Sequence, residues 1–120
     1  MLVEDNELNR EIAVEIIGST GVSIETAANG QEAVEMVSLS PEGYYQMVLM
    51  DIQMPVMNGY EATQRIRTLG RKDSNTLPII AMTANAFSED VVNALESGMN
   101  YHLAKPIDIS ALMTVLSNYL

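Results

Sequence analysis

Five short apolar runs alternate with five segments of helical periodicity, and this alternation constrains the fold more than any other feature of the chain. The runs are Met1 to Val3, Val22 to Thr26, Met47 to Met50, Pro78 to Thr83 and Tyr101 to Ala104. Each is rich in Val, Ile, Leu or Met and bounded by turn or polar residues, as buried strands are. Between them, Leu8, Ile12, Ile16 and Ile17 form an apolar face behind Asn6, a predicted N-cap, and Ala33, Val34 and Val37 form another after Gly30. Tyr60, Thr63, Ile66 and Arg67 belong to a third predicted helix, Val91, Val92 and Leu95 to a fourth, and Leu112, Val115, Leu116 and Tyr119 to the last. Gly18, Gly70 and Gly98 stand where helices are expected to end. Strands alternating with helices imply an α/β domain, a doubly wound five-stranded parallel sheet covered on both faces. The patches "SPEGYY" (40–45) and "GRKDSNT" (70–76) read as exposed loops, and no internal repeat or linker interrupts the pattern.

In an open doubly wound sheet, ligands bind beyond the carboxyl ends of the strands. The residues that follow the runs are Glu4 and Asp5, then Ala27 and Ala28, Asp51, Thr83 with Ala84, and Lys105. Three carboxylates, a hydroxyl and one of only two lysines therefore converge on one edge. Alone, each has an ordinary explanation as a cap, a strand end or a surface charge. Together they do not, because clustered carboxylates repel and raise one another's pKa unless a cation sits among them. A hard divalent ion with oxygen ligands, Mg2+ above all, suits such a set. A carboxylate beside a metal, an ammonium and a hydroxyl is also the outline of a phosphoryl-transfer site.

Composition removes other classes. A chain of 120 residues holds one core, and 48% hydrophobic with 18% charged residues describes a globular protein. A net charge of −10 leaves nothing to neutralise a run of phosphates, so direct nucleic-acid binding is not expected. Cysteine is absent, which excludes thiolate metal sites and agrees with a cytoplasmic setting. No apolar run approaches a membrane span, and the acidic start lacks the basic region of a signal peptide, so no direct membrane contact is expected. The nine methionines read as flexible core filling, with Met47, Met50, Met54 and Met82 in or beside strands.

Four motifs in order, "LVEDN" (2–6), "VLMDIQMPVMNG" (48–59), "IIAMTANA" (79–86) and "HLAKPI" (102–107), resemble the receiver domain of two-component response regulators. The wording is most similar to receivers fused to hybrid sensor histidine kinases. The resemblance spans essentially the whole chain and implies a flavodoxin-like sheet of order 2-1-3-4-5 with five helices. It implies that Asp51 accepts a phosphoryl group from phosphohistidine, and that Mg2+ is held by Asp5, Asp51 and the main-chain carbonyl of Gln53, with Glu4 acting through water. It implies further that Lys105 pairs with Asp51 and then with the phosphoryl group, ahead of a cis bond to Pro106. Thr83 becomes the switch hydroxyl, Ala84 leaves the pocket open, and Gln53 and Asn85 tune a slow self-dephosphorylation. His102 stands where the family usually has Tyr or Phe, so its part in the switch is an expectation only.

The implied partners are a histidine kinase domain or a histidine phosphotransfer protein, with a phosphorylation-dependent dimer not specified by these residues. The opening "MLV" is short for a first strand, as in a domain cut from a larger protein, which includes the cytoplasmic part of a membrane-anchored sensor kinase. Three other readings are weaker. A receiver-like module that is never phosphorylated tends to lack part of the set Asp5, Asp51, Thr83 and Lys105. A phosphatase of the aspartyl-phosphate type needs a second acid where Gln53 stands. A flavodoxin-like cofactor binder needs a Gly-, Ser- and Thr-rich loop after the first strand.

Overall fold

The computed structural model describes residues 1–84 and 89–120. Five strands, β1 (Leu2–Val3), β2 (Thr26–Ala27), β3 (Val48–Asp51), β4 (Ile79–Thr83) and β5 (Tyr101–Ala104), alternate with α1 (Glu7–Gly18), α2 (Gly30–Leu39), α3 (Gly59–Arg67), α4 (Glu89–Ser97) and α5 (Ile109–Tyr119). All strand pairs are parallel, and the sheet order is β2-β1-β3-β4-β5. The order reverses between β1 and β3, which puts the crevice of a doubly wound sheet over the carboxyl ends of these two strands.

Two apolar layers enclose the sheet. Val48, Met50, Ile79 and Ala81 face α2, α3 and α4 with Ala33, Ile66 and Ala94, while Leu49, Ile80, Met82 and Leu103 face α1 and α5 with Ile17, Leu112 and Val115. Because β3 and β4 are buried on both faces, they read in the sequence as continuous apolar runs. Met47, Met50, Met54 and Met82 are all buried, in line with their reading as core filling. Asn6, Asn29, Asn58 and Asp108 cap α1, α2, α3 and α5, each side chain accepting from the main-chain N–H three residues on, at 2.9, 2.8, 2.9 and 3.1 Å.

Several expectations are corrected. The second strand is Thr26–Ala27, not Val22 to Thr26. It pairs only with Leu2 and Val3, whereas Val22 and Ile24 are partly buried and pack against the α1 and α5 layer as irregular chain. Asp51 is the last residue of β3 rather than the residue after it. Leu8 and Ile12 do not face the core of α1. They are exposed, and Ala13 and Ile17 are the buried residues. In α4 the buried positions are Ala94 and Ser97, with Val92 and Leu95 exposed. Apolar residues outnumber the positions these helices can bury, so periodicity alone points to a face that is too wide. The loop at 70–76 is only partly exposed: Ser74 is buried, and the Arg71 guanidinium donates to the carbonyl of Val37 at the end of α2.

Candidate active site

Each strand that meets the crevice ends in a residue with polar chemistry. β1 runs into Glu4 and Asp5, β3 ends on Asp51, β4 on Thr83, and the chain leaves β5 through Lys105. Gly59 makes the first turn of α3 fit against this edge, since a Cβ there would lie 2.4 Å from the main-chain oxygen of Asp51. The N–H of Gly59 also donates to the carbonyl of Ile52 at 2.9 Å, closing the loop behind the aspartate.

Lys105 joins the acidic residues. Its Nζ lies 2.9 Å from Asp51 Oδ1 and 3.1 Å from Glu4 Oε2. Asp51 and Glu4 are buried, at 5% and 3% exposure, whereas Asp5 is exposed. Carboxylate oxygens of Glu4, Asp5 and Asp51 can all lie within 4.8 Å of one another. Burial pushes the Asp51 carboxyl up to about 6, an effect opposed by the Lys105 ammonium and reinforced by the Glu4 carboxylate. For Lys105, desolvation by burial acts downward, but Asp51 and Glu4 together outweigh it and hold the ammonium above its ordinary range. Lys105 thus pairs with two carboxylates while the third, Asp5, lies close by, an excess of negative charge that a second cation would relieve. The donor set is all oxygen and includes the carboxylates of Glu4, Asp5 and Asp51, which line one cavity, and this fits a small hard dication.

These groups line a cavity of about 280 Å³, together with Gln53, Thr83 and Ala84. Thr83 is buried, at 2% exposure, and its carbonyl accepts from the N–H of Lys105 at 2.8 Å. The Lys105–Pro106 bond is cis. His102 is half-buried beside Ala81 in register, on the α4 side of the sheet, and its ring stacks on Tyr101 at 5.2 Å. Asn85 lies outside the described residues.

Three residues absent from the sequence reading also belong to this region. Asn9 and Asp90 line the cavity, and Arg10 Nη1 donates to the main-chain oxygen of Glu4 at 2.8 Å, holding the acidic loop from α1. The spacing of Arg10 from Asn6, one helical turn, is the only signal for it in the sequence. Asp90 had none, since it reaches the cavity only through the packing of α4 on α3, where it accepts from the Tyr60 hydroxyl at 3.1 Å.

The chain matches the family described as the response regulator receiver domain over residues 1–117. This chain is a response regulator receiver domain. Among curated relatives, the receiver domain is 39% identical over 119 residues to the sensor histidine kinase RcsC of Escherichia coli (strain K12), covering 99% of this chain and 12% of that protein. It therefore spans only a small part of such relatives. Among solved structures, the receiver domain of the sensor histidine kinase PA1611 from Pseudomonas aeruginosa PAO1, with a magnesium ion coordinated in its active site cleft, is 37% identical with a TM-score of 0.87, covering 98% of this chain and 93% of that one. A co-crystal structure of the Saccharomyces cerevisiae histidine phosphotransfer protein Ypd1 with the receiver domain of Ssk1 matches at 31% identity and a TM-score of 0.84, covering 98% of this chain and 85% of that one. Among the described residues, no helix of the receiver domain is long and apolar enough to cross a membrane.

Proposed function

We propose that Asp51 accepts a phosphoryl group from a phosphohistidine in a partner protein and that the domain works within a phosphorelay, as part of a hybrid histidine kinase. The observation that carries this reading is Lys105 Nζ held between Asp51 and Glu4, with Asp5 alongside, at the carboxyl edge of the sheet. The magnesium ion in the related PA1611 receiver supports a divalent cation here. Asp5 and Asp51 would hold it through their side chains, Gln53 through its main-chain carbonyl and Glu4 through water. When bound, it supplies positive charge beside the transferring phosphoryl group.

A carboxylate oxygen of Asp51 attacks phosphorus in line with the P–N bond. That bond breaks, its electron pair stays on the imidazole nitrogen, and an acyl phosphate remains on Asp51. Lys105 starts as the partner of Asp51 and ends as the partner of a phosphoryl oxygen, so its charge stays next to the growing negative charge throughout. The Thr83 hydroxyl donates to the phosphoryl group once it has arrived. His102, two residues before Ala104, the register partner of Thr83 on the neighbouring strand, follows Thr83 inward. Gln53, Ala84 and Asn85 set how readily water reaches the acyl phosphate. The donor is a histidine kinase domain or a histidine phosphotransfer protein, a reading supported by the Ypd1 complex of a related receiver.

The test is intact mass after incubation with acetyl phosphate, with and without Mg2+. One phosphoryl group is expected to appear only with Mg2+ and to be absent in Asp51→Asn; a native chain that gains no mass overturns the reading. The ring chemical shifts of His102 with and without a phosphoryl analogue test its part in the switch, and unchanged shifts would remove it.

A further inference from the structure

Arg10 stands near the amino end of α1, where a cation is out of place. That end carries the positive pole of the helix dipole, so a guanidinium there is disfavoured unless something else holds it. What holds it is the loop between β1 and α1. Its Nη1 donates to the carbonyl of Glu4 at 2.8 Å, and its main-chain N–H donates to the carbonyl of Asn6, also at 2.8 Å. Arg10 therefore bonds to the residues on both sides of Asp5. The sheet gives this loop little support: β1 is only Leu2–Val3, and the chain leaves it with the N–H of Glu4 on the carbonyl of Ala27 at 3.1 Å. The Glu4 side chain is engaged at both oxygens, Oε1 accepting from the N–H of Asn6 at 3.3 Å and Oε2 facing Lys105. Asp5, between these held neighbours, is exposed.

The guanidinium acts on a dication among Glu4, Asp5 and Asp51 in two ways, and their signs are opposite. As a positive charge beside Glu4 it repels a second cation, an effect that water and salt reduce to a few-fold in affinity. As a tie on the loop it fixes where Asp5 stands before the cation arrives, so less ordering is left to be done on binding. Outer partners that orient metal ligands in this way typically change metal affinity by about 10–100-fold. The direction of the guanidinium favours the second role. It is aimed at a main-chain oxygen of the loop and leaves the Glu4 carboxylate to Lys105, so it arranges the acidic residues without neutralising them. Resting on the cation site of the reading above, we propose that Arg10 is a positioning residue for that site, clamping the turn from Glu4 to Asn6 so that Asp5 is ready for a dication, and that it thereby strengthens Mg2+ binding despite its own positive charge.

The experiment measures Mg2+ binding by calorimetry for the native chain, Arg10→Met and Arg10→Lys, together with Mg2+-free melting temperatures and labelling by acetyl phosphate across a range of Mg2+ concentrations. Arg10→Met keeps an apolar stem but has neither the charge nor the donor. Its Kd for Mg2+ is expected to rise about tenfold, whereas loss of a repelling charge alone would lower it. Labelling should need correspondingly more Mg2+ and approach the native rate at saturation, as expected of a group that arranges a ligand without touching the phosphoryl group. Arg10→Lys, which keeps the charge but lacks the planar fork, should fall between the two. A Kd for Arg10→Met equal to or below the native value overturns the proposal. So does a weakening that comes with a melting temperature well below native, or one that saturating Mg2+ does not repair in the labelling. If the Mg2+ affinities follow the expected order but acetyl phosphate labels none of the chains, the role of Arg10 stands and the phosphoacceptor reading falls; a native chain that binds no Mg2+ overturns both.

Discussion

Two half-buried cations, Lys105 and Arg67, sit at opposite ends of the sheet and face opposite kinds of partner. Among the described residues, Arg67, at the end of α3, donates only to neutral acceptors: the carbonyls of Ser74, Leu77 and Gly98 and the side-chain oxygen of Asn100, at 2.7 to 3.1 Å. Lys105 faces two carboxylates, with a third close by. Burial pulls the Arg67 guanidinium down from its ordinary range, whereas at Lys105 the same effect is outweighed by Asp51 and Glu4. Arg67 stitches the loop before β4 to the turn before β5 by filling main-chain acceptors that would otherwise be unpaired. Lys105 sits in a cluster with charge left over. A cation whose partners are all neutral carbonyls is a structural tie, and one that is outnumbered by carboxylates marks a site prepared for another cation or a transferring group.

The largest effect should come from the structural cation. Arg67→Ala strands several carbonyls around α3 and is expected to lower stability by about 3–5 kcal/mol in denaturant unfolding. Arg67→Lys should recover little of it, since one ammonium cannot span both the Gly98 and the Leu77 carbonyls. The folded fraction of these variants should still take a phosphoryl group; loss of labelling with the fold intact would break the contrast. Lys105→Ala should do the reverse, slowing phosphorylation by acetyl phosphate about 100-fold while changing unfolding by less than about 1 kcal/mol. An Arg67-sized loss of stability in Lys105→Ala would mean that its ion pairs are structural too.

The smallest effect sharpens the charge argument. In the absence of Mg2+, the Asp51 carboxyl is raised from 3.8 to about 6. The folded state then binds more protons than the unfolded state between these values, so this group's contribution to stability falls as pH rises from about 4 to about 6. Asp51→Asn should therefore be more stable than the native chain by about 1–2 kcal/mol at pH 7 and no more stable at pH 4. Saturating Mg2+ should remove the difference at pH 7 by stabilising only the native chain. A difference that does not change with pH would place the strain elsewhere than the charge on Asp51.

The site was more legible than the surfaces around it. Asp51, Thr83 and Lys105 were visible because β3, β4 and β5 are apolar runs, so a polar residue at their carboxyl ends stands out. β2 was misplaced because it pairs with only two residues of β1, and the apolar Val22 and Ile24 look like strand while packing as irregular chain. The faces of α1 and α4 were misjudged because periodicity counts apolar residues without knowing how many the sheet can cover. Leu8, at 64% exposure, belongs to that surplus. Asp90 and Arg67 left no local trace of their roles, since Tyr60, which donates to Asp90, and Gly98 and Asn100, two of the four partners of Arg67, are about 30 residues away in sequence.

By itself, the sequence determined the alternation of strand and helix, the parallel sheet that follows from it, and which residue types stand at the strand ends. Those properties are set by local period and by the burial of both sheet faces. Only the tertiary structure decided that Lys105 bridges Asp51 to Glu4 rather than meeting Asp51 alone and that Arg67 is a tie and not a site. Such facts depend on distances between groups remote along the chain, which neither residue type nor spacing carries.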